Sequence, residues 1–204
     1  MAEIARLKIK LTEQSIPVSR RIEVRLDTRL DDLHVVLQVA MGWENCHLYE
    51  FQVGPSIRYG VPDPAWEDAG LRSAKNATLA DLIDKTGRNN TFDYLYDFGD
   101  YWLHTVRLEA AVDAAPDVTY PRLLEAHGRC PPEDCGGPGG YVHYLEAISD
   151  PNHEDHAEMV EWGGPGFDPG IVDEDAIRNA FAALVASKRR RRKRGTRQIP
   201  KIRG

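Results

Sequence analysis

The chain has 204 residues, 42% of them hydrophobic and 28% charged, with a formal net charge of −6. That length and apolar content suffice for one well-buried domain and exclude a wholly disordered chain. No apolar run, Ala180–Ala186 included, approaches the ~18 residues of a membrane span. The start, Met1-Ala2-Glu3-Ile4-Ala5-Arg6, has no basic segment followed by an apolar stretch. A cytoplasmic protein with no membrane partner is therefore expected.

Ala5–Leu11 alternates Leu7, Ile9 and Leu11 with Arg6, Lys8 and Lys10, the pattern of a half-buried strand. Arg21–Leu26 alternates again, with Ile22, Val24 and Leu26 on one face, and the Ile16-Pro17 turn joins the two as a hairpin. Thr28, with Asp31 three residues on, predicts a capping box. The helix it opens carries Leu30, Leu33, Val36, Leu37, Ala40 and Met41 at helical spacing and stops at Gly42. His47–Val53 predicts a strand, and Gly54–Gly70, rich in Gly, Pro and acids, a loop. Thr78 predicts a second capped helix. Phe92–Tyr96 and Trp102–Leu108 predict strands joined by a turn at Asp97-Phe98-Gly99-Asp100, with Gly99 at positive φ. Asp113–Pro121 reads as a connector and Gly128–Gly140 as a loop. Gly140–Ile148 predicts a helix. Asp150 with Pro151 predicts the cap of the next one. Trp162–Gly170 reads as a loop. Asp173 predicts the cap of a last helix burying Ile177, Phe181, Leu184 and Val185. This order predicts a single compact α+β domain over 1–187: an N-terminal β-hairpin, a helix, further strands in a mixed or antiparallel sheet, and C-terminal helices.

Charge divides sharply at the end of that domain. Residues 188–204 hold ten basic residues and no acid, so the other 187 residues carry a net −16. The run Lys188, Arg189, Arg190, Arg191, Arg192, Lys193 and Arg194, followed by Arg197, has nothing apolar to pack, which predicts a disordered basic tail over 188–204. Such a tail contacts nucleic acid through phosphates, folds back on the acidic body, or stays solvated.

Cys46, Cys130 and Cys135 are expected to be reduced thiols. Cys130-Pro131-Pro132-Glu133-Asp134-Cys135 is a rigid loop in one reading. In another, its two cysteines bind zinc or another divalent metal with a histidine drawn from His47, His104, His143, His153 or His156. Gly136–Gly140 matches neither a P-loop nor a dinucleotide fingerprint. Asp97, Asp100 and His104 in the second hairpin suit either a turn or acid–base and cation chemistry. His153 and His156 lie one residue short of the metalloprotease spacing, and no serine sits in a nucleophile elbow.

Asp32–Trp43 with His47–Phe51, then Tyr96–His104, then Cys130–Tyr141, in this order and at these separations, resemble the plasmid pRiA4b ORF-3-like family. The resemblance spans about Ile4 to Leu184 and leaves the basic tail outside. It implies a compact α+β domain associated with mobile DNA, some members being labelled resolvases or passengers of transposable elements. It also implies that the shared residues His47, Asp97, Asp100, Trp102, His104, Cys130, Glu133 and Asp134 converge on one pocket. That requires the Asp97 turn and the Cys130 loop to lie within ~15 Å of each other. The residues of a recombinase are missing. The strand Ala5–Leu11 has no serine, His127-Gly128-Arg129 has the wrong spacing for a tyrosine recombinase, and no tyrosine follows Tyr144. The leading expectation is a non-catalytic accessory domain of mobile elements that touches nucleic acid through its tail. One alternative is a metal-dependent enzyme whose pocket lies between the Asp97–His104 turn and the Cys130–Cys135 loop, with Cys130, Cys135 and His104 as ligands. Another is a protein–protein adaptor using Trp43, Trp66 and Trp162.

Overall fold

The computed structural model describes residues 3–63, 65, 70–164 and 166–195, with side chains to 190. Trp66, Arg197 and the side chains of Arg191, Arg192, Lys193 and Arg194 lie outside the described residues. Among the described residues no helix is long and apolar enough to cross a membrane.

The elements in chain order are β1 (Glu3–Leu11), β2 (Ser19–Arg25), α1 (Leu30–Met41), β3 (Tyr49–Val53), β4 (Ile57–Gly60), β5 (Leu71–Ser73), α2 (Leu79–Thr86), β6 (Thr91–Tyr96), β7 (Trp102–Asp113), β8 (Arg122–His127), α3 (Gly137–Ser149), α4 (His156–Gly163) and α5 (Glu174–Gly195). The strands form one eight-stranded mixed sheet in the order β5-β4-β3-β6-β7-β1-β2-β8. Every pairing is antiparallel except β4 with β5. The expected α+β class and both hairpins, β1–β2 and β6–β7, are present.

The sheet is one-sided. Leu7, Ile9, Leu11, Ile22, Val24, Phe92, Tyr94, Tyr96, Trp102 and Val106 join a core with the apolar faces of α1, α2, α3 and α5. The opposite face carries an ion-pair ladder in which Arg6 and Arg122 both meet Glu23, and Arg21 meets Glu109 and Glu125. An antiparallel sheet tolerates this because its strands need no helix on both faces.

Several local expectations change. Thr28 caps nothing: α1 starts at Leu30 with Arg29 as its N-cap, and Asp31 pairs with Arg29. Thr28 is held elsewhere, because its carbonyl accepts from Leu79 N at the start of α2. Thr78 does form the reciprocal box with Asp81. The expected loop 54–70 contains β4, and the stretch after the connector contains β8. β4 pairs with β3, and β8 pairs with β2 at the sheet edge. Asp150 ends α3 instead of starting a helix. The chain turns through 151–155, and α4 begins at His156 behind Asp155. Asp173 caps α5 by accepting from Ala176 N at 2.8 Å. The helix continues past 187 to Gly195, where a chain without regular structure is expected.

Two core histidines make the fold sensitive to acid. His34 is stacked on Tyr49 at 3.6 Å, and His104 is fully buried against Trp43 and Tyr94. Burial lowers both to about 4 from an ordinary 6.5. Between those values the unfolded chain binds protons that the folded chain refuses, so stability falls as pH is lowered through 6.5 toward 4. Urea unfolding at pH 5 should show each histidine removing on the order of 2 kcal/mol relative to pH 7, and a His34→Gln chain should show a shallower decline. A flat profile contradicts the assignment.

Candidate functional site

Three loops at one end of β6 build the site: residues 43–47 after α1, the turn 97–101 between β6 and β7, and residues 130–137 between β8 and α3. The first loop is set by a ring of buried polar groups. Gln38 Nε2 donates to Tyr94 Oη at 2.9 Å, Tyr94 Oη meets His34 Nδ1 at 2.7 Å, and His34 Nε2 meets Asn45 Oδ1. Asn45 N closes the ring by donating to Gln38 Oε1 at 3.0 Å. With Asn45 Oδ1 as acceptor, His34 carries its proton on Nε2 and accepts from the Tyr94 hydroxyl at Nδ1. Each bond orients the next, so Asn45 is held at φ 60° and delivers Cys46 and His47 to the surface.

The hairpin turn is built as expected in part. Asp97 Oδ1 accepts from Gly99 N at 2.8 Å, and Asp97 N donates to Leu48 O at 3.0 Å. The left-handed residues are Asp97 (φ 55°) and Tyr101 (φ 60°), not Gly99. Asp97 tolerates this conformation because its short carboxylate satisfies the turn amide locally.

The third loop is stapled to both others. Pro131 O accepts from Trp43 Nε1 at 3.0 Å, Glu133 Oε1 from Glu44 N at 2.8 Å, and Asp100 Oδ2 from Gly136 N at 3.1 Å. Tyr96 Oη accepts from Cys46 N and donates to Glu133 Oε1, both at 3.1 Å. Burial, followed by the contact with Cys46 and the Glu133 charge, drives the Tyr96 hydroxyl well above its ordinary value, so it remains a donor.

The Asp97 turn and the Cys130 loop therefore meet directly, and the two acids after the prolines enter one cluster. His47 Nε2 lies 2.9 Å from Asp134 Oδ1 and 3.5 Å from Asp97 Oδ2. Two sets of ligand atoms gather within 4.8 Å here, sharing the imidazole: His47 with Asp97 and Asp134, and His47 with Cys46 and Glu133. Asp97 is only 6% exposed, and no lysine or arginine among the described residues pairs with Asp97, Glu133 or Asp134. Leu48, Phe98 and Tyr101, each about half exposed, form an apolar rim on the same two loops.

Five candidate residues have other places. Trp102 and His104 are fully buried core groups, and His104 Nδ1 bonds Tyr94 O at 3.1 Å. Cys130 and Cys135 are free thiols that do not join His104 in any ligand set among the described residues. The expected set Cys130, Cys135 and His104 is not brought together, and the ligand atoms that do gather lie around His47. Burial drives Cys130 to about 11 and Cys135 to about 12, so both are protonated at neutral pH and poor nucleophiles. Asp100 positions the glycine turn. Trp43, expected as an exposed adaptor residue, is buried, whereas Trp162 is 45% exposed. Cys46 and Tyr96 belong to the site and were not singled out by the sequence. The available signals were adjacency to His47 and the inward register of β6.

Gly137 makes the staple possible. Its φ is +70°, and a Cβ there would stand 2.5 Å from Asp100 O. A Gly137→Ala chain should lose about 2 kcal/mol or more in urea unfolding and should lose the contact between turn and loop. Unchanged stability would show that the two loops are not mutually dependent.

Residues 3–176 match the family described as plasmid pRiA4b ORF-3-like protein. The chain is 42% identical over 197 residues to the protein described as "Uncharacterized protein y4hQ" of Sinorhizobium fredii, covering 96% of this chain and all of that one. It is also similar to the crystal structure of MM3350 from Methanosarcina mazei, described as a protein of unknown function, with a TM-score of 0.77 and 34% identity. That match covers 86% of this chain and 97% of the other.

Proposed function

This chain belongs to the plasmid pRiA4b ORF-3-like family, and we propose that it is a metal-dependent domain whose ion is held by His47, Asp97 and Asp134, with Cys46 and Glu133 as a separate group on the same imidazole. One observation carries the reading. His47 Nε2 is buried and within reach of two carboxylates, yet makes a hydrogen bond of good geometry to neither. A cation among these atoms would use the idle lone pair and offset the carboxylate charge, which no lysine or arginine does. Imidazole and two carboxylates together suit zinc or another first-row divalent ion. Asp134 is exposed and His47 partly so, leaving a coordination face open to water, as in sites that act on a ligand. A bound ion would supply Lewis acidity and an acidified water. The protein would supply the Tyr96 hydroxyl, which fixes Glu133, and the apolar rim, which restricts solvent. The full chain should take up one zinc per protein at this site in equilibrium dialysis. His47→Ala and Asp134→Ala should each weaken that uptake at least about 100-fold, and His143→Ala, in the separate group His143, His153 and Asp155, should leave it intact. Equal uptake by the His47→Ala chain, or none by the natural one, sinks the proposal.

A second reading, contact with nucleic acid through the basic segment, draws on α5. Lys188 Nζ pairs with Asp32 Oδ1 at 2.9 Å, which ties the start of the run to the body. Arg189 and Arg190 are exposed and pair with no carboxylate among the described residues. Cations near a helix C-terminus also suit its dipole. Binding to a random DNA duplex should weaken on the order of 100-fold between 50 and 200 mM salt if about four phosphates are neutralised. It should vanish in a chain ending at Ala186. Binding that survives the deletion moves the contact to the body.

A further inference from the structure

A cleft of about 660 Å³ opens between the loop after α1, the start of the 130–137 loop, the end of α4 and the first turn of α5. Its size is that of a small-molecule site. Trp162, 45% exposed, and Ile171, 64% exposed, both line it. The Trp162 ring is braced edge-on by Tyr144 at 5.5 Å, so its other surfaces are presented from a fixed support. Phe167 completes the apolar wall.

Two arginines stand on the same cleft, and neither meets a carboxylate. Arg129 lies with its guanidinium carbon 4.5 Å from the Phe167 ring centroid. Stacking of this kind fixes the guanidinium plane and leaves the N–H edges for a ligand. Arg129 is exposed, and no acid among the described residues pairs with it. Arg20 lies on the cleft floor at 2% exposure. Its donors go to backbone carbonyls and the Cys130 sulfur, so its charge is solvated but not neutralised. Elsewhere on the body Arg6, Arg21, Arg25 and Arg122 each meet a carboxylate.

The acids of the lining are disposed differently. Glu133 Oε1 is engaged by Tyr96 and Glu44 N on the side of the His47 cluster, and Asp173 caps α5. Glu44 is an exposed rim residue. A ligand between Arg129 and Trp162 therefore meets a free guanidinium edge and an aromatic face.

We propose that this cleft binds a small organic carboxylate with a planar apolar body, the carboxylate on the Arg129 fork and the body against Trp162 and Ile171. Planar carboxylate matches planar guanidinium in two parallel hydrogen bonds. The site needs no ion at His47, and the test is done without metal, so its outcome is separate from the metal reading.

Phenylacetate is the probe. Titrated into the full chain in the presence of EDTA, it should shift the Trp162 indole N–H resonance saturably, with a dissociation constant of about 1 mM or tighter. Benzyl alcohol, of similar body but uncharged, should bind at least about tenfold more weakly. Arg129→Gln should weaken phenylacetate by a similar factor, and Trp162→Ala should weaken both probes. Both side chains are exposed, so the variants should keep the fold, which circular dichroism checks. A phenylacetate constant above about 10 mM, equal binding of the alcohol, or undiminished binding by Arg129→Gln overturns the proposal.

Discussion

A single buried guanidinium ties together the parts on which the rest depends. Arg20 is on the inward face of β2, in step with Ile22 and Val24, and is 2% exposed. It donates to Ala40 O at 2.7 Å, Ser19 O at 2.8 Å, His127 O and Gly128 O at 2.9 Å, and Cys130 Sγ at 3.4 Å. A charge can be taken out of water only when nearly all its donors are satisfied. Here that requires the last turn of α1, the end of β8 and the start of the 130–137 loop to be present together. Arg20 therefore couples helix docking to sheet completion, and it fixes where the Cys130 loop departs. Every contact that this loop makes downstream, from Trp43 to Asp100, starts from that anchor.

The ring of His34, Tyr94, Gln38 and Asn45 does for the 43–47 loop what Arg20 does for the other. It is a closed set of buried donors and acceptors spanning a helix, a central strand and a loop. Such a set has few alternative arrangements, since breaking one bond strands a partner in the core. Two rigidly held loops then meet the β6–β7 turn, and the His47 cluster forms where they touch. Its negative groups are crowded because the backbone staples, Gly136 N to Asp100 and Glu44 N to Glu133, use neutral amides instead of cations. The site is thus preorganised by contacts outside the cluster.

Legibility in the sequence followed the range of the interaction. The Thr78 box, the Gly42 stop and the Asp173 cap are local bonds, and each forms where its spacing places it. Thr28 has the same local pattern as Thr78, yet its backbone is drawn into a pairing with the start of α2, which leaves Arg29 at the cap. Asp150-Pro151 is similar: α3 ends there, and its carboxylate serves Asn152 N instead. In β8, Leu123 and Ala126 are buried by β2 and α5, not by an alternation of their own. His104 was readable as a ligand because polar residues in a turn look alike; its position opposite Leu11 on the inward face of β7 makes it a core group.

The sequence by itself determined the α+β class, the two hairpins, the amphipathic α1, the family, and the segments that carry chemistry. These rest on periodicity, on bonds between near neighbours and on motifs within short stretches. Tertiary structure alone decided which of those polar residues meet. It brought His47 against Asp97 and Asp134 in one group and against Cys46 and Glu133 in another, sent His104 and Trp102 into the core, and left Cys130 and Cys135 outside the ligand sets found among the described residues. The reason is physical: a side chain's partner across the fold is chosen by how the sheet stacks and where buried donors such as Arg20 are satisfied. That choice is global, and no spacing along the chain encodes it.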